Sequence, residues 1–377
     1  MAPFAMRVDR AAADPVTQVA SYPMDPGAWQ LGPHVDWIPE TSEPLRFARY
    51  EGMPDGAMTV SPGIAVSRQA RFSSGTIDFD IKPLAYDDTG IIFRRHGEDA
   101  GEMVYLRANP DCPAADDCIQ YAPITHQRMQ WDTYSNYQGQ APINPAGWNH
   151  VHLVVAGEKL TVTVNHAADP TLVVPRLQGT TTEGGIAFKG PAIYANLVIR
   201  PGPASALPDV HEGVPAADTV MTWLAATPSA LPVDRPVGAA DIPASRSWHA
   251  IAAEQTGLVN LSRNFNVRRL SVGWLKTTIT AGTAMHRVLR IGWARQITVF
   301  LNGKAVFAGD NPYRPEDRRL SPNGRLEADN ASVPIALRQG ANDIVLAVGN
   351  TWLGADGHIK PTAYGWGAEA RLEELRQ

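Results

Sequence analysis

The chain of 377 residues lacks several features that would assign it to a common class of protein. It has two cysteines, no long run of basic residues, and no apolar stretch near the roughly 18–20 residues that a membrane-spanning helix needs. Its net charge of -5 is small for this length. These absences argue against a nucleic-acid partner and against a membrane span. No glycine-rich loop follows a strand and opens a helix, so no cofactor is indicated.

Long helical periods are also missing, and short strand patterns with many turn residues take their place. The chain has 32 glycines and 31 prolines. Residues 76–82, TIDFDIK, alternate strictly, with Ile77, Phe79 and Ile81 on one face, which predicts a half-buried strand. Gly157 and the pair Asn302-Gly303 each separate two strand-like runs and predict hairpins. We therefore predict an all-β protein built from β-sandwiches.

The length favours two domains. We predict an irregular N-terminal segment over residues 1–45, a first sandwich over 46–200, a Pro/Ala-rich linker over 201–245, and a second jelly roll over 246–377. Trp223 within the linker indicates a segment anchored on the surface and not a free tether.

The cellular compartment stays open at this stage. The first twenty residues carry charges where a secretory signal needs an apolar segment, so either no signal exists or one was removed from a secreted or periplasmic protein. Cys112 and Cys118 flank a short loop with a proline, and a disulfide and two free thiols are both compatible with that spacing. A disulfide would favour an oxidising compartment.

Residues 119–134, IQYAPITHQRMQWDTY, place polar side chains beside aromatic ones among short strands. On an open sheet face, Trp131 or Tyr134 would stack on a sugar ring, with Tyr137 nearby, and Gln120 would bond its hydroxyls. His126 would serve as an acid or base near neutral pH. We therefore predict a saccharide ligand. The alternative is that these rings belong to the core and that their polar tips are satisfied there.

Charged residues supply further candidates. Glu102 or Asp132 would share proton transfer with His126, and Arg94 would bind a carboxylate unless it marks a solvated strand end. Asp78 and Asp80 would line a groove or form the wet face of a sheet. Carboxylates in the loops of the first domain would bind calcium, or they would form solvated acidic loops, since no spaced calcium motif is present. These carboxylates are Asp87, Asp88, Glu98, Asp99, Glu102, Asp111, Asp116 and Asp117.

Polar and aromatic residues also decorate the predicted loops of the second domain. They would bind a sugar at the rim of the sandwich or close the contact between the two domains, and we favour the contact; they are Asn311, Tyr313, Arg314, Trp352, His358, Tyr364 and Trp366.

Residues from about 70 to 200 resemble the concanavalin A-like (laminin G-like) sandwich. The resemblance rests on GTIDFDI, GIIFR, YLR, IQY followed by Trp and Tyr, GWNHVHLVV and GGIAF, in that order. Lectins, laminin G modules, family 16 glycosidase relatives and 3-keto-glycoside hydrolase-type domains share this fold. The resemblance implies a ligand on the concave face or its rim.

Residues from about 245 to 372 resemble a galactose-binding-like jelly roll of the kind that accompanies β-galactosidases. The matching pieces are GLVNLSRNF, VFLNGKAVFAGDNPYR, GANDIVLAV and YGWGAEARL. The resemblance implies an accessory β domain, which suits either an enzyme or a binding protein.

One departure from family 16 limits the mechanism. That family carries an E-x-D-x-E triplet on one strand, whereas here Asp78 and Asp80 are followed by Lys82. Retaining glycosidases need two carboxyl groups about 5 Å apart, so this mechanism is not carried over.

We predict a hydrolase or lyase that acts on a glycoside or polysaccharide through the concave face of the first sandwich. The alternative is a non-catalytic, lectin-like protein, for which stacking rings and bonding amides suffice. A structural or adhesion protein is a third possibility. The sequence leaves the oligomeric state open.

Overall fold

The structure is a computed structural model that describes residues 19–38, 43–50, 52–203, 207–232, 234–313, 323–353 and 358–374. It is built almost entirely from antiparallel strands arranged as two successive sandwiches, which confirms the predicted fold class. No helix in these ranges is long and apolar enough to cross a membrane.

The first sandwich contains fourteen strands. They are β1 (Ala20–Tyr22), β2 (Trp29–Leu31), β3 (Arg46–Tyr50), β4 (Met53–Phe72), β5 (Gly75–Pro83), β6 (Asp88–His96), β7 (Ala100–Arg107), β8 (Ile119–Thr125), β9 (Arg128–Met129), β10 (Gln138–Gly139), β11 (Asn149–Ala156), β12 (Lys159–Val164), β13 (Leu172–Val174) and β14 (Gly184–Pro201).

Two long strands, β4 and β14, run through both layers of the first sandwich. The first half of β14 pairs with β6, and its second half pairs with β5. The register between β4 and β14 shifts between Gly190 and Ala192, where the strand passes from one layer to the other. A Cβ atom on Gly190 would lie 2.2 Å from the carbonyl oxygen of Ser61, so only glycine permits this approach of the two backbones.

The core of this sandwich follows the predicted alternation. Along β5 every second side chain is buried, including Ile77, Phe79 and Ile81. Phe188 and Tyr194 stack between the layers with ring centroids 4.1 Å apart. Burial of such rings and β-branched side chains supplies most of the stabilisation of a fold of this kind.

The second sandwich contains twelve strands and one short helix. The strands are β15 (Thr222–Ala230), β16 (Trp248–Ala252), β17 (Val259–Asn260), β18 (Ser271–Ala281), β19 (Met285–Trp293), β20 (Arg295–Leu301), β21 (Lys304–Asn311), β22 (Ala331–Leu337), β23 (Gly340–Gly349), β24 (Thr351–Leu353), β25 (Ile359–Pro361) and β26 (Gly367–Glu374); the helix α1 is Leu261–Asn264, and single 3-10 turns lie at Ala239–Asp241 and Ser245–Ser247.

A six-stranded sheet (β16-β15-β18-β23-β20-β21) and a four-stranded sheet (β17-β26-β19-β22) enclose the core of the second sandwich. Trp223, Trp293 and Trp366 are fully buried there. Asn302 and Gly303 connect β20 to β21 with φ angles of 51° and 80°, as the two-residue hairpin turn requires.

The predicted segment boundaries need two corrections. The segment called irregular supplies β1 and β2, which pair with β14 and β4. The segment called a linker contains β15, which pairs with β16 and β18. We predicted a linker because the segment is rich in proline. Pro228 is nevertheless compatible with a strand, because it lies in the register shift between Ala226 and Ser229, where the N–H donor that proline lacks is not needed.

Cys112 and Cys118 form a disulfide, with their Cα atoms 5.9 Å apart. Of the two alternatives left open by their spacing, the bridged one is therefore present. It closes the loop between β7 and β8.

Candidate functional site

The sheet face on which we predicted the ligand is covered. Along β6, β7 and β8 one set of side chains enters the core, and the opposite set, with Ile92, Met103 and Tyr105, forms a second apolar cluster. Trp37 from the N-terminal segment covers this cluster, as does Tyr364 from the second sandwich. The predicted concave binding face is therefore a contact surface between parts of the chain.

Gln120 and Trp131 lie inside this contact. The Gln120 side chain accepts hydrogen bonds from Tyr105 and Arg107, each 2.7 Å long, and donates to the carbonyl oxygen of Trp131 at 2.7 Å. The Trp131 ring packs edge-on against Tyr313, with ring centroids 4.9 Å apart. Both side chains are buried, so neither faces solvent as direct stacking or hydroxyl binding would require.

Tyr134 and Tyr137 are also buried, and their hydroxyl groups are satisfied within the chain. Tyr134 donates to Glu254 at 2.8 Å and accepts from Asn260 at 2.9 Å, which ties the first sandwich to the second. Tyr137 donates to Glu212 at 3.3 Å. These contacts match the alternative of core rings with satisfied polar tips.

Two predicted site residues lie within the first sandwich, away from solvent. Glu102 is 1% exposed and accepts a 2.6 Å hydrogen bond from Tyr121. Burial raises the pKa of Glu102 to about 7, although the hydrogen bond from Tyr121 opposes that rise. Arg94 donates to the carbonyl oxygens of Ser73 and Gly157 at 2.8 and 2.7 Å. The Arg94 guanidinium therefore binds backbone carbonyl oxygens, and not the ligand carboxylate that we had predicted.

Asp132 is fully buried and forms an ion pair with Arg295 of the second sandwich. Its other carboxylate oxygen accepts a 2.8 Å hydrogen bond from the backbone N–H of Gly365. The guanidinium carbon of Arg295 lies 4.7 Å from the centre of the Trp352 ring. Asp132, which we had predicted to be a catalytic acid, therefore stabilises the contact between the two sandwiches. Through Arg295 it also supports the Trp352 ring.

Of the residues predicted for the first sandwich site, His126 lines an accessible space. That space is a cleft of about 510 Å³ between the two sandwiches, which we call the inter-sandwich cleft. Its lining residues are His34, Asp36, Trp37, Ile38, His126, Gln127, Arg128, Arg268, Trp352, Lys360, Pro361, Thr362, Ala363 and Tyr364.

A tight hairpin presents His126 to the cleft. Thr125 at the end of β8 pairs with Arg128 at the start of β9, so His126 and Gln127 form a two-residue turn. Their φ angles are 52° and 61°, the left-handed pair that such a turn needs. Both side chains line the cleft.

Aromatic rings form one part of the wall. Trp352 and Tyr364 meet edge to face, with ring centroids 4.9 Å apart, and Trp37 also lines the cleft. Behind Tyr364 lies Trp131, at a centroid distance of 6.2 Å. The rings of the wall therefore rest on other packed aromatic side chains.

Three buried nitrogen atoms in the lining lack hydrogen-bond partners within the described ranges: Trp37 Nε1, His126 Nδ1 and Arg128 Nη1. The remaining guanidinium nitrogens of Arg128 donate to the carbonyl oxygens of Thr362, at 3.2 Å, and Val267. A buried polar group without a partner costs free energy, so unpaired donors that line one cleft favour a ligand rich in acceptors.

Most of the cleft could not be located from local sequence. We named His126, Trp352 and Tyr364 as candidates, and the structure brings them together. The sequence reasoning missed Trp37 and Arg128, as well as Arg268 and Lys360. These residues come from separate stretches of the chain, and no spacing pattern connects those stretches.

The other described candidates from the second domain are packed inside the protein or lie outside the cleft lining. Asn311 and Trp366 are fully buried, and Tyr313 packs on Trp131. His358 is exposed and does not line the inter-sandwich cleft. Arg314 lies outside the described residues.

Asp78 and Asp80 belong to a cluster that we had not predicted. Each faces a histidine across the β5–β11 pair: Asp80 Oδ1 lies 2.8 Å from His150 Nδ1, and Asp78 Oδ1 lies 2.7 Å from His152 Nδ1. Arg200 donates to Asp78 at 2.5 Å. The signal was present in the alternating NHVHLVV run, which places both histidines on the face of Asp78 and Asp80.

This cluster predicts a pH dependence of stability. Hydrogen bonds with Asp78 and Asp80 raise the pKa of His150 to about 9. A raised histidine pKa stabilises the fold below its ordinary value near 6.5, and the contribution disappears as the pH rises through 9. We expect the free energy of unfolding to fall by about 1 kcal/mol between about pH 7 and 10, since solvent screens this half-exposed group. Urea unfolding of the chain and of His150→Gln tests this. An equal fall in both proteins would contradict it.

Within the described ranges no group of three or more His, Cys, Asp or Glu side chains is arranged to hold a metal ion. Several of the loop carboxylates have basic partners instead. Asp87 and Asp88 lie 3.4 and 3.1 Å from Lys189, and Asp117 lies 3.8 Å from Arg107. Calcium binding stays an untested prediction.

No protein-family model matches the chain, and no curated protein matches it. Among matching solved structures is the carbohydrate-binding module CBM66 from Bacillus subtilis (14% identity, TM-score 0.31, covering 41% of this chain and 91% of that chain). Another is domain 4 of AbnA, a GH43 extracellular arabinanase from Geobacillus stearothermophilus, in complex with arabinotriose (11% identity, TM-score 0.30, covering 50% and 83%).

A third match is an anti-sigma factor domain-containing protein from Clostridium clariflavum, with 8% identity and a TM-score of 0.26. It covers 91% of this chain and 92% of that chain. All three TM-scores lie below 0.5, so we derive the function from the residues of the cleft. The concanavalin A-like and galactose-binding-like assignments stay predictions.

Proposed function

We propose that the protein binds a saccharide in the inter-sandwich cleft. The observation that carries this proposal is the combination, in one cleft, of aromatic rings with buried donors that have no hydrogen-bond partner among the described residues. The donors are Trp37 Nε1 and Arg128 Nη1, and they lie with the His126 imidazole beside Trp352 and Tyr364. A sugar has hydroxyl oxygens that accept hydrogen bonds and C–H faces that pack on rings. The volume of about 510 Å³ falls in the range of small-molecule sites.

Binding without turnover is the form of this proposal that the geometry favours. Asp36 is the only carboxylate among the described residues that line the cleft. Hydrolysis by a retaining mechanism needs two carboxyl groups about 5 Å apart. Glu102 and Asp132, which we had paired with His126, are buried and do not line the cleft. The sequence favoured an enzyme over a binding protein, whereas the geometry of the cleft favours a binding protein.

Catalysis in the same cleft is the second candidate, and one contact favours it. His126 Nδ1 lies 3.7 Å from Asp99 Oδ1, and the imidazole lines the cleft. A carboxylate beside a histidine can orient the ring and support proton transfer. Under this proposal His126 would act as the acid or base on a bound glycoside.

A glycan array followed by calorimetry tests binding. We expect the folded protein to retain a subset of glycans and to bind the best of them with a measurable Kd. The absence of any retained glycan across an array of plant, bacterial and animal glycans, with folding confirmed by circular dichroism, would contradict the proposal.

A mass-spectrometric product screen on the retained glycans separates the two candidates. Under binding alone no product mass appears, and His126→Gln weakens binding because a donor is lost. Under catalysis a product appears, and His126→Gln lowers turnover by about 100-fold or more while binding persists. His211→Gln, which makes the same change at an exposed histidine outside the cleft lining, serves as the control.

A further inference from the structure

We propose that the inter-sandwich cleft selects anionic saccharides, in which a carboxylate or sulfate group meets Arg128. This inference deepens the proposed function and rests on it. It concerns which saccharides are bound, and it is carried by the charges around the cleft.

Arg128 is a buried cation that forms no ion pair with any residue the structure describes, although the charge of Asp36 acts on it. It is 4% exposed, and its two bonded nitrogens donate to backbone carbonyl oxygens. Two other buried arginines in the described ranges form ion pairs: Arg295 pairs with Asp132, and Arg325 lies 3.5 Å from Asp117. Arg94, like Arg128, donates to backbone carbonyl oxygens, but it does not line the cleft. A buried charge is costly unless it is compensated, so Arg128, which lines the cleft and whose Nη1 has no hydrogen-bond partner among the described residues, favours an external anion.

The charges that surround Arg128 strengthen this conclusion. Arg268 and Lys360 are exposed and line the same cleft, while Asp36 is the one acid in the described lining. Burial, and then the nearby charge of Arg268, lower the pKa of Arg128 to about 10, and the charge of Asp36 opposes this shift, so Arg128 remains protonated at neutral pH. An anionic ligand would stabilise this charged form and relieve the repulsion between the two arginines.

The free nitrogen of Arg128 suits an anionic oxygen. Its Nη1 has no hydrogen-bond partner within the described part of the chain, while Nε and Nη2 are held by the backbone, so the guanidinium is fixed before the ligand arrives. Arg268 is also oriented, because its Nη1 donates to the side-chain oxygen of Gln127 at 2.8 Å. An anion in the cleft would therefore be held by the two exposed cations, with the fixed charge of Arg128 in the wall beside them.

Matched ligands test the charge requirement. Calorimetry would compare oligosaccharides of galacturonate, mannuronate and glucuronate with their carboxyl-reduced neutral counterparts, and sulfated oligosaccharides with desulfated ones. We expect at least one anionic member to bind about 10- to 100-fold more tightly than its neutral counterpart. A difference in affinity within the carboxylate and carboxyl-reduced pairs would identify a carboxylate as the recognised anion, and a difference within the sulfated and desulfated pairs would identify a sulfate. Preference should weaken as salt rises, because salt screens exposed charges.

Exposed variants test the assignment to this cleft without risk to the core. The double variant Arg268→Gln/Lys360→Gln is expected to reduce the anionic preference several-fold, measured as the ratio of the charged to the neutral affinity within each matched pair. Arg246→Gln removes the same charge at an exposed position outside the cleft lining and should change nothing. Equal binding of charged and neutral members would overturn this inference while leaving saccharide binding intact. Binding of no member at all would overturn both.

Discussion

Replacing Asp132 by asparagine is expected to lower the free energy of unfolding by about 3–5 kcal/mol, the largest effect of any substitution considered. Asp132 is fully buried and faces Arg295, also buried, across the contact between the two sandwiches. Removing one partner leaves an uncompensated charge in the interior, which costs far more than the pair contributes. Urea unfolding followed by tryptophan fluorescence measures the loss.

The exposed pair of Asp241 and Arg235 gives a matched control, since Arg235 donates to both carboxylate oxygens at 2.6 Å but lies in solvent. Asp241→Asn should change stability little, because water screens such pairs. The double variant Asp132→Asn/Arg295→Met should lose less stability than Asp132→Asn alone, since it removes both charges. Similar losses for Asp132→Asn and Asp241→Asn would contradict this account of the contact.

Replacing Trp352 by alanine is expected to weaken saccharide binding by about 10- to 100-fold, as truncation of an aromatic anchor in a binding site commonly does. Its half-buried ring lines the inter-sandwich cleft, with Tyr364 at its edge and Arg295 over its face. Calorimetry with the best glycan from the array measures the change. Trp352→Phe should retain part of the affinity because it keeps a smaller ring at the same place.

Trp148→Ala is the matched control for this prediction. Trp148 is also half-buried and meets Tyr50 edge to face at 5.9 Å, but it does not line the inter-sandwich cleft. We expect its substitution to leave affinity unchanged. A comparable loss of affinity in Trp148→Ala and Trp352→Ala, with both proteins folded, would show that the wall of this cleft has no special part in binding.

Local pattern predicted the strands well because it reports directly on which side chains face the core. The alternation over residues 76–82 appears as β5, and Asn302-Gly303 turns β20 into β21. The same reasoning placed Gln120 and Trp131 on an open face, and there it failed. The cover on that face comes from distant residues, Trp37 and Tyr364 among them.

The sequence contained one sign that this sheet face is covered. The run Gly90-Ile91-Ile92-Phe93 in β6 is apolar at consecutive positions, as is Met103-Val104-Tyr105-Leu106 in β7. Consecutive apolar residues in a strand indicate burial on both faces, whereas a face open to a sugar would alternate with polar residues. His126 lines the cleft because it occupies a hairpin turn, where side chains reach outward, and its role stays a prediction.

The cleft itself depends on tertiary structure alone. Arg128 becomes informative only when its bonds to Thr362 and Val267 are known, since these leave one nitrogen unpaired and exclude a surface position. The number of arginines in a sequence does not say which of them lacks a carboxylate. That distinction needs the full set of contacts.

Hydrogen–deuterium exchange with and without the best glycan tests the central claim most directly, because it locates the ligand on the whole protein. We expect protection at residues 35–38, 126–129 and 360–364, which converge on the inter-sandwich cleft. Protection confined to another surface, such as the groove of the second sandwich around residues 231–237, would contradict the claim that the saccharide is held between the two sandwiches.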